Sequence, residues 1–180
     1  MNICMFIEGP GCSEGEVIVN VGGVSMSSDP KSYDSNGDGP DEEGLPYLNI
    51  FTLPTRGELG GAASGTEQYY SSDFGNVHIV SLDSQLSNSD DDLRNAMRDW
   101  LIADLQASQK QAWRIVIFHH PPYSKGENHD SDLEKREIDM RQTFAPVFEE
   151  YGVDAVYNGH SHSYERSWYL KGHYGLSKTF

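Results

Sequence analysis

Short apolar runs and longer periodic stretches alternate along this chain from residue 67 onward. Two β-rich runs, residues 67–72 and 77–83, are separated by residues 74–76, Phe-Gly-Asn, which predicts a hairpin turn. The second run is apolar enough to predict a central strand. His78 lies within that run, and a single histidine in such a strand is more often a packed side chain than a metal ligand.

The next stretch has the periodicity of a helix. Residues 87–89 offer capping side chains, and residues 90–92 are three aspartates that suit the positive end of a helix dipole. Five apolar side chains then recur every three or four residues: Leu93, Met97, Trp100, Leu101 and Leu105. This pattern predicts an amphipathic helix with one buried face, and the helix start explains the aspartates without a metal site.

A second cycle of strand and helix follows the first. Residues 113–118 are a short apolar run, and residues 153–157 are another, so both are predicted strands. A helix is predicted between them, from about residue 131 to Gly152, and Pro146 should kink or restart it. Its buried face is predicted to carry Met140, Phe144, Val147, Phe148 and Tyr151.

The order strand, helix, strand, helix, strand is typical of an α/β layer fold, and we predict a layered α/β sandwich. In such folds ligands gather beyond the carboxyl ends of the strands. His119 follows one predicted strand and His160 follows the next, so the two histidines are expected to be neighbours. Residues 1–45 differ from the rest: residues 16–21 allow one strand, and residues 27–44 are rich in Ser, Asp, Gly and Pro, which predicts a loop. We predict an atypical, loop-rich segment over 1–45 and the organised part over 46–180.

Composition limits the functions that the chain can have. Its 180 residues suffice for one domain, and its net charge of −15 argues against binding nucleic-acid phosphates over a broad surface. A phosphorylated substrate is still allowed, because a bound metal reverses the local field. The two cysteines, Cys4 and Cys12, cannot build a thiolate metal site. No apolar run reaches the length of roughly 20 residues that a membrane span needs, and the first residues lack the basic region of a signal peptide.

Histidines carry the candidate chemistry. His119, His160 and His162 are predicted to converge on a metal, with His129 on a loop above it. Three neutral imidazoles suit zinc, iron or manganese, which activate water as a nucleophile. A further histidine suits a general acid. The alternative is that these histidines cap or pack the strand ends, but two clusters at matching strand ends favour a site.

Two motifs make this hypothesis specific. Residues 159–166 read Gly-His-Ser-His-Ser-Tyr-Glu-Arg, and residues 118–123 read Phe-His-His-Pro-Pro-Tyr. They resemble the last metal-binding motifs of purple acid phosphatases and related calcineurin-like metallophosphoesterases. The resemblance extends from about residue 46 to residue 180. It implies the layered α/β sandwich of that family and a phosphoric ester hydrolase with two metal ions.

The resemblance also implies roles for single residues. By the family pattern, His119 and His160 serve one metal and His162 serves the other. His129 falls in the loop that points histidine at the substrate phosphate, where it would stabilise charge or protonate the leaving alkoxide. The implied reaction is attack of a metal-activated hydroxide on a small phosphate monoester, with iron, zinc or manganese as the metal. His120 neighbours a ligand, and its own role stays open.

The chain departs from the family pattern in its first part. The Gly-Asp-x-x-Tyr and Gly-Asn-His motifs that supply the other ligands are absent from this sequence. We therefore expect a sandwich without its first strands, an incomplete second metal site, and possible homo-oligomers through the open sheet edge. The alternatives are a truncated, non-catalytic metal-binding fragment and, less favoured, a three-histidine enzyme with one zinc. Family resemblance favours an extracellular or periplasmic location.

Overall fold

A four-stranded sheet forms the centre of the computed structural model, which describes residues 51–86, 91–126 and 129–179. Strand order is β1-β2-β3-β4; β1 is antiparallel to β2, whereas β2, β3 and β4 are parallel. The strands are β1 (Tyr70–Phe74), β2 (Val77–Ser81), β3 (Trp113–Ile117) and β4 (Ala155–Tyr157). The α/β prediction is confirmed, and the strand predicted to be central, β2, lies between two others. The segment predicted over 1–45 lies outside the described residues.

The predicted hairpin connects β1 and β2. Phe74 pairs with Val77 across a two-residue loop, and Gly75 adopts a φ of 63°. Glycine at the first central position suits a type II′ turn, whose twist matches that of the strands. Strand β1 begins at Tyr70, later than predicted, because the preceding residues are held in a local turn. There the Gln68 backbone N–H donates to Thr66 Oγ1 over 3.2 Å.

Helix α1 (Asp91–Ala107) covers one face of the sheet, as the apolar periodicity predicts. Met97, Leu101 and Leu105 are fully buried, while Leu93 and Trp100 pack against the same cluster from its margin. The sheet contributes its own buried side chains to this core: Val80, Leu82, Val116 and Phe118. The residues predicted to cap this helix lie outside the described part of the chain.

The second helical region is interrupted, as Pro146 predicts. It consists of α2 (Lys135–Asp139), a π-helical turn (Met140–Phe144) and α3 (Ala145–Glu150). A proline lacks the N–H donor, and its ring crowds the carbonyl four residues earlier. The wider π-helical turn lies just before Pro146. Helix α2 begins at Lys135 rather than near residue 131, because residues 130–134 form a turn in which the Glu134 N–H donates to the Asp130 carbonyl.

His78 occupies the amino-terminal part of β2 and is a packed residue, as predicted. Its ring is fully buried, with Nδ1 2.7 Å from Asp73 Oδ1 and Nε2 2.7 Å from Asp104 Oδ2. Burial opposes a charge on this ring, but the hydrogen bonds to Asp104 and Asp73 outweigh it and raise the pKa of His78. Asp104 also accepts from Ser71 Oγ and the Ala62 N–H, so this cluster joins helix α1 to the hairpin.

The opposite edge of the sheet is where the histidine motifs lie. Strands β2, β3 and β4 run parallel, so their carboxyl ends, at Ser81, Ile117 and Tyr157, meet at one edge. His119 and His160 follow β3 and β4 there, as the strand order predicts. In the part of the chain that the structure describes, no helix is both long and apolar enough to cross a membrane.

Candidate metal centre

Three successive parallel strands deliver the side chains of the candidate centre. Ser84 follows β2, His119 and His120 follow β3, and His160 follows β4. His160 Nδ1 lies 3.2 Å from His119 Nε2. The ring of His120 is 4.6 Å from that of His160 and 4.9 Å from that of His119, measured between centroids. The strand order therefore brings three imidazoles from two chain segments together.

His120 is the most deeply buried member of this cluster, with 1% of its surface exposed. Its Nδ1 lies 2.8 Å from Ser84 Oγ, and its backbone N–H donates to the same oxygen over 3.1 Å. The other ring nitrogen, Nε2, is buried and has no hydrogen-bond partner within residues 51–86, 91–126 and 129–179. An orphaned buried nitrogen costs roughly 1–3 kcal/mol, so its position among other imidazoles indicates a missing partner.

The donor set fits a metal ion. His119, His120 and His160 each offer a ring nitrogen, and the three atoms lie within 4.8 Å of one another. Burial, followed by the neighbouring histidines, lowers the pKa of His119 to about 4 and that of His120 to about 2. Burial also lowers the pKa of His160, against a hydrogen bond to Glu134. The rings are therefore neutral near pH 7, which is the form that binds zinc, iron or manganese.

A second group of possible ligands shares His160 with the first. His160 Nε2 lies 3.1 Å from Glu134 Oε2, and His129 Nδ1 lies 2.8 Å from Glu134 Oε1. The rings of His129 and His160 are 3.7 Å apart between centroids. Burial opposes ionisation of Glu134, but the hydrogen bonds from His160 and His129 bring its pKa below the ordinary value. One carboxylate thus connects the loop of His129 to the histidine cluster.

Residues 159–165 form a strained loop that Glu165 holds in place. His160 and His162 have φ values of 70° and 51°, in the left-handed region that non-glycine residues seldom adopt. Glu165 Oε1 accepts the hydroxyls of Ser161, Ser163 and Ser124 at 2.6, 3.1 and 2.8 Å. These bonds fix the loop, so they offset part of the strain of roughly 1–3 kcal/mol that each such residue costs.

The neighbouring loop comes close enough to require a glycine. A Cβ on Gly126 would overlap Ser161 Oγ and Ser163 Oγ, so only glycine permits the approach. Lys125, beside it, donates its backbone N–H to Glu165 Oε2. Further along the chain, Arg141 is buried and donates to the carbonyls of Pro122 and Ser131. The loop that carries His129 is therefore anchored at both ends.

The structure brings three of the four predicted site residues together and leaves the fourth exposed. His119 and His160 are in contact, and His129 lies against His160. His162 is exposed and belongs to neither group of ligand atoms found among the described residues. The metal roles of His119, His160 and His162, and the catalytic role of His129, stay predictions. The structure adds a candidate that sequence reasoning left open, His120.

Three other residues of the site escaped the sequence reasoning. Glu165 stood inside a recognised motif, and its spacing from Ser161 and Ser163 could have indicated a hydrogen-bonded loop. Glu134 had no such signal, because an acidic residue at a helix start is explained by the helix dipole. Ser84 lies in another segment, so only the parallel pairing of β2 and β3 brings it to His120.

Comparison with known proteins gives a consistent result. The sequence model of the calcineurin-like phosphoesterase family matches residues 27–164, a range that begins ahead of the predicted boundary at residue 46. Purple acid phosphatase 1 of Ipomoea batatas is 34% identical over 125 residues, 68% of this chain and 24% of the relative.

Two further relatives carry phosphatase names. Purple acid phosphatase 18 of Arabidopsis thaliana is 29% identical over 133 residues, 71% of this chain and 29% of the relative. The phosphoenolpyruvate phosphatase of Allium cepa is 33% identical over 124 residues, 68% of this chain and 24% of the relative. The chain thus spans about a quarter of the length of the curated relatives it matches.

Proposed function

The chain belongs to the calcineurin-like phosphoesterase family, and from that premise we propose that it is a metal-dependent phosphoric ester hydrolase acting on a small phosphate monoester. The observation that carries the proposal is the cluster of ring nitrogens of His119, His120 and His160 at the carboxyl ends of β3 and β4. Ligands collect at this edge in parallel α/β sheets. The phosphatase names of the relatives support the substrate class.

The residues present fit one metal ion, with His119 and His160 as ligands in the family pattern. A metal held there supplies Lewis-acid activation of a phosphoryl oxygen and of the attacking water. The chain's own contribution is to orient the ligands. Ser84 holds His120 and Glu134 holds His160, each through the ring nitrogen that does not face the cluster. Such outer hydrogen bonds fix the tautomer and the ring orientation.

His129 is proposed as the general acid of the reaction. Its Nδ1 lies 2.8 Å from Glu134 Oε1, so a proton on Nδ1 is held by that carboxylate. The other nitrogen, Nε2, is then the atom that exchanges a proton with the leaving alkoxide. The side chain is 27% exposed, so a substrate entering from solvent reaches it. Imidazole is the side chain most often used as a general acid or base.

The second metal site, the identity of the metal, the binding partners and the domain boundary are also part of this proposal. His162 is proposed to serve a second metal, and that site is incomplete because the carboxylate motifs of the family are absent from the sequence. Iron, zinc or manganese would occupy the centre. The net charge of −15 argues against nucleic acid as a partner. The division at residue 45 and self-association through an open sheet edge also stay proposals.

Hydrolysis of p-nitrophenyl phosphate by the full chain tests the function. The assay is run with zinc, manganese or iron added, beside a His160→Ala/His162→Ala variant at equal protein concentration. Metal-dependent turnover that the variant lacks supports the proposal. Equal turnover by the two proteins, or none by either, contradicts it.

A second candidate is a metal-binding fragment without catalysis. Two observations favour it: the chain spans about a quarter of its relatives' length, and the two described groups of possible ligands share His160. Metal analysis of the purified chain, made beside the phosphatase assay, separates the two candidates. Bound metal without turnover would establish the fragment.

A further inference from the structure

We propose that His120 is a metal ligand of this chain and completes a three-histidine site with His119 and His160, while His162 belongs to the second, incomplete site. The inference rests on the proposed metal dependence but concerns which side chains bind. Motif spacing alone favours His162, whereas the geometry points to the buried neighbour of His119. Four observations carry it.

The first observation is the distance between ring nitrogens of His119 and His160, the two ligands that the sequence motifs already suggest. His160 Nδ1 and His119 Nε2 lie 3.2 Å apart. Two nitrogens that bind zinc at its usual distance, in tetrahedral geometry, lie about 3.3 Å apart. The pair is therefore spaced for a shared metal ion without any movement of the strands.

The second observation is the orphaned nitrogen of His120. Nε2 is buried and has no hydrogen-bond partner among the described residues. A ring nitrogen of His120 lies within 4.8 Å of a ring nitrogen of each of the other two histidines. A buried nitrogen in this state loses its hydration and gains nothing in return. A metal ion at the centre of the cluster supplies the missing partner.

The third observation is the hydrogen bond on the far side of the His120 ring. Ser84 Oγ, 2.8 Å from Nδ1, accepts the Nδ1 proton in the tautomer that leaves a lone pair on Nε2. The same oxygen accepts the His120 backbone N–H, so ring and backbone are fixed by one group. Metal-binding histidines are commonly oriented in this way.

The fourth observation is that the ring of His160 is also oriented by a hydrogen bond on its far side. Glu134 Oε2 lies 3.1 Å from Nε2 and accepts its proton, which leaves the lone pair on Nδ1, facing His119. His162, by contrast, is exposed and outside both groups of ligand atoms among the described residues. The competing arrangement, with His129, Glu134 and Nε2 of His160, would break this hydrogen bond and turn the ligand atom away from His119.

Zinc titration of the full chain by calorimetry tests the ligand set. His120→Ala and His119→Ala should each weaken zinc binding by more than about 100-fold, whereas His162→Ala and the outlying control His173→Ala should change it by less than about 3-fold. Ser84→Ala keeps the ligand but removes its support, and should weaken binding roughly 10-fold. Equal affinities for wild type and His120→Ala overturn the proposal, as does loss of binding in His162→Ala.

A measurement on the unaltered chain guards against a His120→Ala variant that fails to fold. Imidazole 15N NMR spectra, recorded with and without zinc, report which ring nitrogen binds. The expected ligands are Nε2 of His119, Nε2 of His120 and Nδ1 of His160. Zinc shifts at Nε2 of His160 and at His129, with His120 unchanged, would establish the competing arrangement and overturn the inference.

The outcomes also separate this inference from the proposed function. If zinc binds and turnover is seen but His120 is not a ligand, only the ligand assignment fails. If zinc binds through His120 and no ester is hydrolysed, the ligand assignment stands and the hydrolase proposal fails. If no metal binds at all, both fail.

Discussion

Two buried histidine clusters lie at opposite ends of the same sheet and differ in the groups that surround their imidazole rings. At the amino end, His78 lies between Asp73 and Asp104, with both ring nitrogens hydrogen-bonded at 2.7 Å. At the carboxyl end, His119 and His120 face other imidazoles, and Nε2 of His120 has no hydrogen-bond partner in the part of the chain that the structure describes. Among those residues, the hydrogen bonds of the first cluster are complete and those of the second are not.

The difference shows that the charge of the neighbouring side chains determines whether a buried histidine is protonated and structural or neutral and able to bind a metal. Against the effect of burial, hydrogen bonds to Asp104 and Asp73 raise the pKa of His78, so they favour the protonated form of the ring. Burial without such partners lowers the pKa of His119 and His120 and leaves their lone pairs available. A cation from solution is what the carboxyl-end cluster can accept and the amino-end cluster cannot.

The largest expected effect is the loss of Asp104. Asp104→Ala leaves His78, Ser71 and the Ala62 N–H without their shared acceptor in the core, so we expect about 3–5 kcal/mol of destabilisation. Urea denaturation measures it. Asp99→Ala, on an exposed face of the same helix, should cost less than about 1 kcal/mol. Similar losses for the two variants would contradict the structural role of the amino-end cluster.

The next effect is stabilisation by metal, which should act on the carboxyl end alone. Zinc at roughly 100 times its Kd should add about 2.7 kcal/mol to the free energy of unfolding. His119→Ala should lose this gain, while His78→Gln should keep it despite a lower starting stability. Denaturation with zinc and with a chelator measures the difference. A gain that disappears in His78→Gln would mean that the two ends are not independent.

A smaller effect is expected for the loop that carries His160. Glu165→Gln places an amide where Ser124, Ser161, Ser163 and the Lys125 N–H all donate, so one donor meets another. We expect a loss of about 1–2 kcal/mol in urea denaturation and weaker zinc binding. Glu150→Gln, on the exposed end of α3, is the matched control. A loss no larger than that of the control would show that the loop needs no such support.

The smallest effect is the pH dependence that His78 imposes. Its folded pKa is raised, so its contribution to stability is full below the unfolded value of about 6.5 and declines as pH rises through the folded pKa. One histidine gives at most about 1.4 kcal/mol per pH unit. Denaturation above about pH 6.5 should therefore show a negative slope that His78→Gln flattens and His173→Gln preserves. An unchanged slope in His78→Gln would contradict a charged His78.

Most of the scaffold could be predicted from sequence because it depends on local pattern. Helical spacing identified the buried face of α1 through Met97 and Leu101, and glycine at position 75 identified the hairpin. Pro146 marked the interruption of the second helical region. The predicted boundaries were less accurate. Strand β1 begins later than predicted because a side-chain hydrogen bond holds Gln68 in a turn, and helix α2 begins only at Lys135 because a turn precedes it.

The site was predictable only in part, because its contacts join distant segments. The strand order placed His119 beside His160, and their apposition follows from parallel pairing of β3 and β4. No spacing rule could reveal that Ser84 holds His120, or that Glu134 bridges His129 and His160, since these pairs depend on how loops pack. The positive φ values of His160 and His162 are likewise not encoded by the spacing of the motif.

The two nitrogens of His160 have a further consequence. One faces His119 and the other is bonded to Glu134, which also holds the loop of His129. The ring carries a single proton when neutral, so a metal at Nδ1 keeps that proton on Nε2 and with it the bond to Glu134. If the chain binds a metal at Nδ1 as proposed, a ligand that contacts Glu134 changes metal affinity by the same factor by which the metal changes the affinity for that ligand. Measured together, the two affinities would then show whether the bond between His160 and Glu134 couples them.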